Sequence, residues 1–215
     1  MKSKLKQELV LIAIVLIPFI YLAILWGDLP ESVPLHWNIE GKIDRYGSKE
    51  GVFLITFLLP VLSYLMFTFA PSLDRKHKMD KMGGKYFRLK FSCVLFMSVL
   101  ATYILYSVNK QSLASPSLLI GLVGFLFAIL GNYFPVLPQN KFIGIRTSWT
   151  LKNETVWNET HRMAGKYWVI GGLSIVLSCL FLNPKICAIV MLGVTLIISV
   201  IPTAFAYNLH KKLTK

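Results

Sequence analysis

Polar and apolar positions along the chain separate into long blocks rather than into the short alternations of a water-soluble domain. Six stretches run without a charged side chain: Leu9–Trp26, Val52–Ala70, Phe91–Val108, Leu118–Phe134, Tyr167–Leu182 and Ile186–Tyr207. A bilayer core about 30 Å thick needs roughly 20 apolar helical residues to cross it, with a workable range of about 17–25. Five stretches reach that range or come within a residue of it. The fifth in order is shorter and extends backward through Met163, Ala164 and Gly165. None carries the polar stripe that a helix half-buried in a soluble core would show. The pattern predicts an all-α membrane protein of six transmembrane helices, a single membrane domain over residues 1–215, located in the cell (inner) membrane as a multi-pass protein.

The first stretch follows Lys2, Lys4 and Lys6, as a signal peptide would, but its 18 apolar residues exceed the usual h-region of about 7–15. No small-x-small cleavage pattern follows Trp26, so the segment is expected to remain as the first helix. Composition agrees, with 55% hydrophobic residues and a mean hydropathy of +0.60.

A net charge of +13 resembles a nucleic-acid signal until the charges are placed. Before the first span, in segment 71–90, in segment 135–166 and in the tail lie 18 basic residues, against 5 in the alternate connections. Cytoplasmic flanks carry the excess of Lys and Arg, so both termini are expected in the cytoplasm. The basic loop 71–90 then reads as an orientation signal that also attracts anionic headgroups. No nucleic-acid-binding module accompanies it, and no direct nucleic-acid contact is expected.

Other chemistry is sparse. Cys93, Cys179 and Cys187 fall inside or beside spans, and His36, His77, His161 and His210 are scattered, so spacing supports no metal site, catalytic residue or cofactor. The span interiors lack the ionisable residues of proton relays and coupled transporters. Pro18, Pro60 and Pro202 interrupt spans one, two and six and free the carbonyls of Ile14, Thr56 and Ile198. Either packed breaks or hinges fit them. Gly121, Gly124, Gly131, Gly171 and Gly172 permit close helix contact. Asn183-Pro184-Lys185 should turn spans five and six into an antiparallel hairpin.

Information concentrates in two connections. In the outer one, 28–51, Pro30 and Pro34 push the chain extended. Leu35, Trp37 and Ile39 alternate with His36, Asn38 and Glu40, as in a short strand or surface ribbon. Gly41 and Gly47 should supply turns, with Asn38 and Asp44 bonding local backbone. The loop reads either as a cap anchored at the interface by Trp37 and Tyr46, or as a recognition surface with His36, Trp37, Asn38, Asp44 and Tyr46 as ligand-binding candidates. In the inner connection, 135–166, Asn153 is a candidate N-cap. Trp157, His161, Ala164 and Trp168 follow at i, i+4, i+7 and i+11 on one face of a helix entering span five. That face either lies in the interface or docks a cytoplasmic partner. Asn132, Asn140, Arg146, Trp149, Trp157, His161 and Arg162 are the partner candidates. Two glycosylation sequons at Asn153 and Asn158 fall on the predicted cytoplasmic side and read as chance matches.

The two connections carry a resemblance. Pro30, Pro34, His36, Trp37, Asn38, Gly41, Asp44, Gly47, Ser48 and Lys49 resemble the pattern of a bacterial domain of unknown function. Gly131-Asn132, Asn140–Thr147, Trp149-Thr150-Leu151, Trp157, Thr160-His161 and Gly165 resemble the signature of the SdpI family. The resemblance implies a non-enzymatic immunity protein. It would protect against, or sense, a membrane-active secreted peptide toxin outside and hold a small DNA-binding repressor at the membrane inside. Two alternatives remain at this stage. One is a transporter or exporter using Asn132, Asn208 and freed carbonyls. The other is a membrane-face enzyme using His36 and Asp44.

Overall fold

A bilayer offers no partner for a bare N–H or C=O, so each long apolar stretch must close its hydrogen bonds within itself. The computed structural model describes residues 2–74, 78–113 and 115–214. Arg75, Lys76 and His77 of the basic loop lie outside the described residues. Six long helices match the six stretches: α1 (Lys2–Leu25), α2 (Gly51–Leu73), α3 (Gly84–Asn109), α4 (Pro116–Tyr133), α6 (Glu154–Phe181) and α7 (Pro184–Leu213). Each is long and apolar enough to cross a membrane. A two-stranded hairpin, β1 (Ser32–Trp37) with β2 (Ile43–Ser48), joins α1 to α2, and a short helix α5 (Ser148–Lys152) precedes α6. The fifth stretch is not short in the structure. Its helix begins at Glu154 and runs unbroken, capped by Asn153, whose side chain accepts from the Thr155 and Val156 amides. This is a multi-pass membrane protein, and large apolar side chains such as Leu180, Phe181, Ile189 and Leu192 stand exposed along α6 and α7.

The chain packs as two compact units: residues 1–68 with 90–116, and residues 69–89 with 117–215. In the first, Leu22, Leu25 and Leu29 from the end of α1 meet Val33, Val52, Leu105 and Val108 in one buried cluster. Leu35 and Trp37 from β1 pack against it. The alternation along β1 turns Val33, Leu35 and Trp37 toward this cluster and leaves His36 exposed. Ile39 leaves the alternation, because it sits in the tip turn and is exposed. Gly47 makes no turn either. It lies in β2 opposite Val33, and Leu35 occupies the space its Cβ would need.

In the second unit, α4 and α6 touch backbone to backbone. A Cβ on Gly124 would meet the Gly172 carbonyl oxygen at 2.8 Å, and one on Gly172 would meet the Gly124 carbonyl. Without a hydrophobic driving force between helices in lipid, such close approach is what holds them. At the α6–α7 turn the Asn183 side chain accepts from the Ile186 amide, and Pro184 starts α7, giving the antiparallel hairpin its spacing predicts. The Ile198 carbonyl freed by Pro202 is not left bare: the Trp168 indole N–H donates to it at 3.1 Å.

Candidate functional site

The hairpin between α1 and α2 presents the first candidate site. Its register is Ser32 opposite Ser48, Val33 opposite Gly47 and Pro34 opposite Tyr46, with irregularities on both sides of His36 before Trp37 pairs with Ile43. At that irregular point the His36 Nδ1 lies 2.6 Å from Asp44 Oδ1, with the two side chains 57% and 43% exposed. Asp44 therefore bonds a side chain rather than the local backbone the sequence suggests. Asn38 does serve the backbone, its Oδ1 accepting from the Glu40 and Lys42 amides. With Gly41 at a φ of 77°, that arrangement closes the tip. Tyr46 stands exposed. Trp37 turns inward, and its buried indole nitrogen has no partner among the described residues.

The base of the hairpin is tied twice. Lys49 pairs with Glu31 at 2.8 Å and lies 5.1 Å from the centre of the Trp26 ring. The Ser48 hydroxyl donates to the Glu50 carboxylate and, with the Glu50 backbone amide, holds its pKa below the usual value. What remains at the surface is His36, Asp44 and Arg45 around a shallow open depression. With Nδ1 held by Asp44, the imidazole keeps its other nitrogen for a ligand.

The connection between α4 and α6 is organised from the inside. Asn140 is buried and fully engaged: its Oδ1 accepts from the Phe142 and Ile143 amides, and its Nδ2 donates to the Pro138 and Ile143 carbonyls. Below it, Trp157 is wholly buried, donates its indole N–H to the Leu137 carbonyl at 2.8 Å and stacks on His161 at a centroid separation of 4.0 Å. The Ile145 amide lies 2.9 Å from His161 Nε2. A backbone N–H can only donate, so Nε2 accepts, and the ring proton sits on Nδ1, which donates to the Trp157 carbonyl at 2.8 Å. The bond from Ile145 needs the neutral imidazole, since a protonated ring has no acceptor nitrogen. Gly144, at a φ of 113°, passes so close above Nε2 that a Cβ would overlap it. Thr147 then caps α5 through reciprocal bonds with Thr150.

These placements divide the inner candidates. The polar groups of Trp157, His161 and Asn140 are engaged internally: Trp157 bonds the Leu137 carbonyl, His161 the Ile145 amide and the Trp157 carbonyl, and Asn140 the backbone of its own loop. Trp157, His161 and Ala164, on one face of α6, are buried, and the loop covers Trp157 and His161. Asn132, Arg146 and Arg162 are exposed. Arg146 donates to the Lys141 carbonyl and Arg162 to Glu159. Trp149 is half-buried against the Tyr207 ring at 5.1 Å. Beside this surface lies a cleft of ≈ 450 Å³ lined by Leu73, Asp74, Gln139, Lys141, Phe142 and Leu151. Lys78 reaches Glu154 at 2.7 Å in the same unit. Among the described residues no group of three or more His, Cys, Asp or Glu side chains is placed to hold a metal.

One cluster has no counterpart in the sequence reading. The Lys90 ammonium, 5% exposed, pairs with both Glu8 oxygens at 2.9 Å and lies 4.5 Å from the centre of the Tyr64 ring, while the Tyr64 hydroxyl donates to Glu8 at 2.8 Å. It ties α1, α2 and α3 together. Its only sequence signal was that each charge abuts an apolar run.

Comparison with known proteins follows the same division. The SdpI/YfhL protein family matches residues 136–206, which takes in the inner connection from its second residue, and a domain of unknown function (DUF1648) matches residues 13–59, which contains the outer one. The immunity protein SdpI of Bacillus subtilis (strain 168) is 31% identical over 211 residues, which is 97% of this chain and 98% of that protein. No solved structure matches.

Proposed function

Because the chain belongs to the SdpI family of multi-pass membrane proteins, we propose that it is an immunity protein against a membrane-active peptide, with the β1–β2 hairpin as its sensing face. The observation that carries this reading is the extent of the likeness to the Bacillus subtilis immunity protein, which leaves almost no part of the chain outside it. On the distribution of basic residues the hairpin faces the exterior, where a secreted peptide arrives. There His36, Asp44, Arg45 and Tyr46 offer an imidazole, a carboxylate, a guanidinium and an aromatic ring on one exposed strand pair.

A peptide seated on that surface lies directly above Leu35 and Trp37, and through them above the ends of α1 and α3. It changes the state of the protein only by binding one arrangement of those helices more tightly than another. The connection between α4 and α6, with exposed Arg146, Arg162 and Lys141, is the surface offered to a cytoplasmic partner such as a small repressor. The buried Asn140–Trp157–His161 knot holds that surface in shape and does not itself touch the partner.

The test is survival of a peptide-sensitive host expressing the wild-type chain, His36→Ala, Asp44→Ala or an empty vector. Protection by the wild type that falls in both variants, at equal membrane abundance, is the expected result. Wild-type cells dying as readily as the vector control would end the immunity reading.

A further inference from the structure

Along a regular strand successive side chains turn to opposite faces, yet Asp44, Arg45 and Tyr46 of β2 are consecutive and all exposed. The register explains this. Tyr46 lies opposite Pro34 and Arg45 opposite His36, so two steps along β1 match one along β2. The pairing then passes from Arg45 to Ile43 over a single step of β1, and Asp44 drops out of the register. Residues directly opposite share a face of the sheet, so the irregularity brings His36, Arg45 and Tyr46 to one side. The Asp44 carboxylate reaches the His36 ring there, at 2.6 Å from Nδ1.

The charges at this point are not balanced. Lys49 is spent on Glu31, and Asp44 on His36. The Arg45 guanidinium is exposed and has no ion pair or side-chain hydrogen bond among the described residues. A carboxylate can only accept, so Nδ1 of His36 carries the ring proton toward Asp44, and the neutral imidazole presents Nε2 as an acceptor. The depression bounded by His36, Asp44 and Arg45 therefore sets an acceptor beside a planar fork of donors with one positive charge. Its complement is a donor next to a planar monoanion. The last residue of a peptide has that form, a backbone N–H beside a terminal carboxylate. A phosphate group does not: it carries a charge of about −1.5 to −2, and its excess would face Asp44.

We propose that the irregular middle of the hairpin binds the C-terminal residue of a peptide, its carboxylate held by the Arg45 fork and its N–H donating to His36 Nε2. Asp44 is a positioning residue, which fixes the tautomer of the imidazole and touches no ligand atom. Capture of a terminal carboxylate is a recurrent mode of peptide recognition. The choice of a peptide rests on the immunity reading above, and this site specifies which end of the peptide is read.

The test places the full chain in lipid nanodiscs with its histidines isotope-labelled and follows the His36 ring by nuclear magnetic resonance. The probes are N-acetyl-trialanine, its C-terminal amide, sodium acetate and N-acetyl-alanyl-aspartyl-alanine amide. Trialanine should bind with a Kd of about 1–10 mM, and its amide about tenfold more weakly. Acetate, which lacks the N–H, should bind at least about threefold more weakly than trialanine. Arg45→Gln should bring acid and amide within about twofold of each other, and Arg45→Lys, which keeps the charge without the fork, should keep only part of the preference. Lys42→Gln removes a nearby exposed charge and should change the preference by less than about twofold. Asp44→Asn should populate the other tautomer in the ring nitrogen shifts and erase the advantage of trialanine over acetate. No saturable shift with trialanine overturns the proposal, as does equal binding of acid and amide or a preference that survives Arg45→Gln. An aspartyl amide that binds as tightly as trialanine overturns it too, since the site would then read acidic side chains. The nanodisc assay contains no toxin. A preference that depends on Arg45, alongside cells that are not protected, keeps the site and removes the immunity reading; protected cells with acid and amide bound alike do the reverse.

Discussion

The hairpin after α1 holds its histidine on the surface, whereas the segment after α4 folds over one. His36 and His161 each engage a neighbour through Nδ1, but His36 keeps its second nitrogen outward while His161 gives it to the Ile145 amide. The hairpin is also tied at its base, by Lys49 and Glu31, and closed at its tip by Asn38, so its middle needs little from the His36–Asp44 pair. The α4–α6 segment has almost no regular structure between Val136 and Ser148, and its shape depends on side chains that reach its backbone. An exposed ion pair contributes little to stability, and a buried polar group that loses its partner costs a good deal. The same residue type is therefore presented at the surface in one segment and built into the architecture in the other.

The largest test of that contrast is Gly144→Ala. It forces a side chain into left-handed backbone and onto His161 Nε2, and the expected loss is about 2–4 kcal/mol. Thermal unfolding in detergent measures it, and a variant as stable as the wild type would show that His161 does not hold the loop. Next comes Lys90→Met, which leaves Glu8 without its ammonium. Glu8 is 41% exposed, so the expected cost is reduced to about 1–3 kcal/mol. Adding Glu8→Gln should recover part of it, and a double variant no better than the single would break the pairing argument.

Trp168→Phe keeps the ring but removes the donor to the Ile198 carbonyl, for an expected loss of about 1 kcal/mol in the same assay. The smallest expected change in stability is at the hairpin. His36→Ala should shift unfolding by less than about 1 kcal/mol, because the pair is mostly in solvent. Yet it is the variant expected to abolish protection of cells. A His36→Ala protein that unfolds as readily as Gly144→Ala would erase the difference between the two segments.

How far the sequence could be read follows from where each constraint comes from. The six spans were legible because hydrocarbon imposes one rule on every crossing segment. Asn153 as a cap was legible because capping is local. Periodicity put Trp157, His161 and Ala164 on one face of α6 correctly, but it cannot say what covers that face, and the cover is a loop beginning 20 residues upstream at Leu137. Pro202 announced a freed carbonyl at Ile198. Its partner Trp168 depends on the register between α6 and α7, which no local pattern encodes. Lys90 and Glu8 were hidden for the same reason: 82 residues separate them, and Lys90 counted only among the basic residues of segment 71–90. Gly47 misled because glycine suggests a turn, whereas here it makes room for Leu35 across the strand pair.

A break in a membrane helix is commonly a place to bend, since the missing bond leaves little to resist motion. In α7 the gap at Pro202 is bridged by an indole from the neighbouring helix, like a splint across a fracture. Bending there would have to tear that bond in a medium with nothing to replace it. At Pro202, then, the neighbouring helix α6 opposes the bend that the missing bond would otherwise permit.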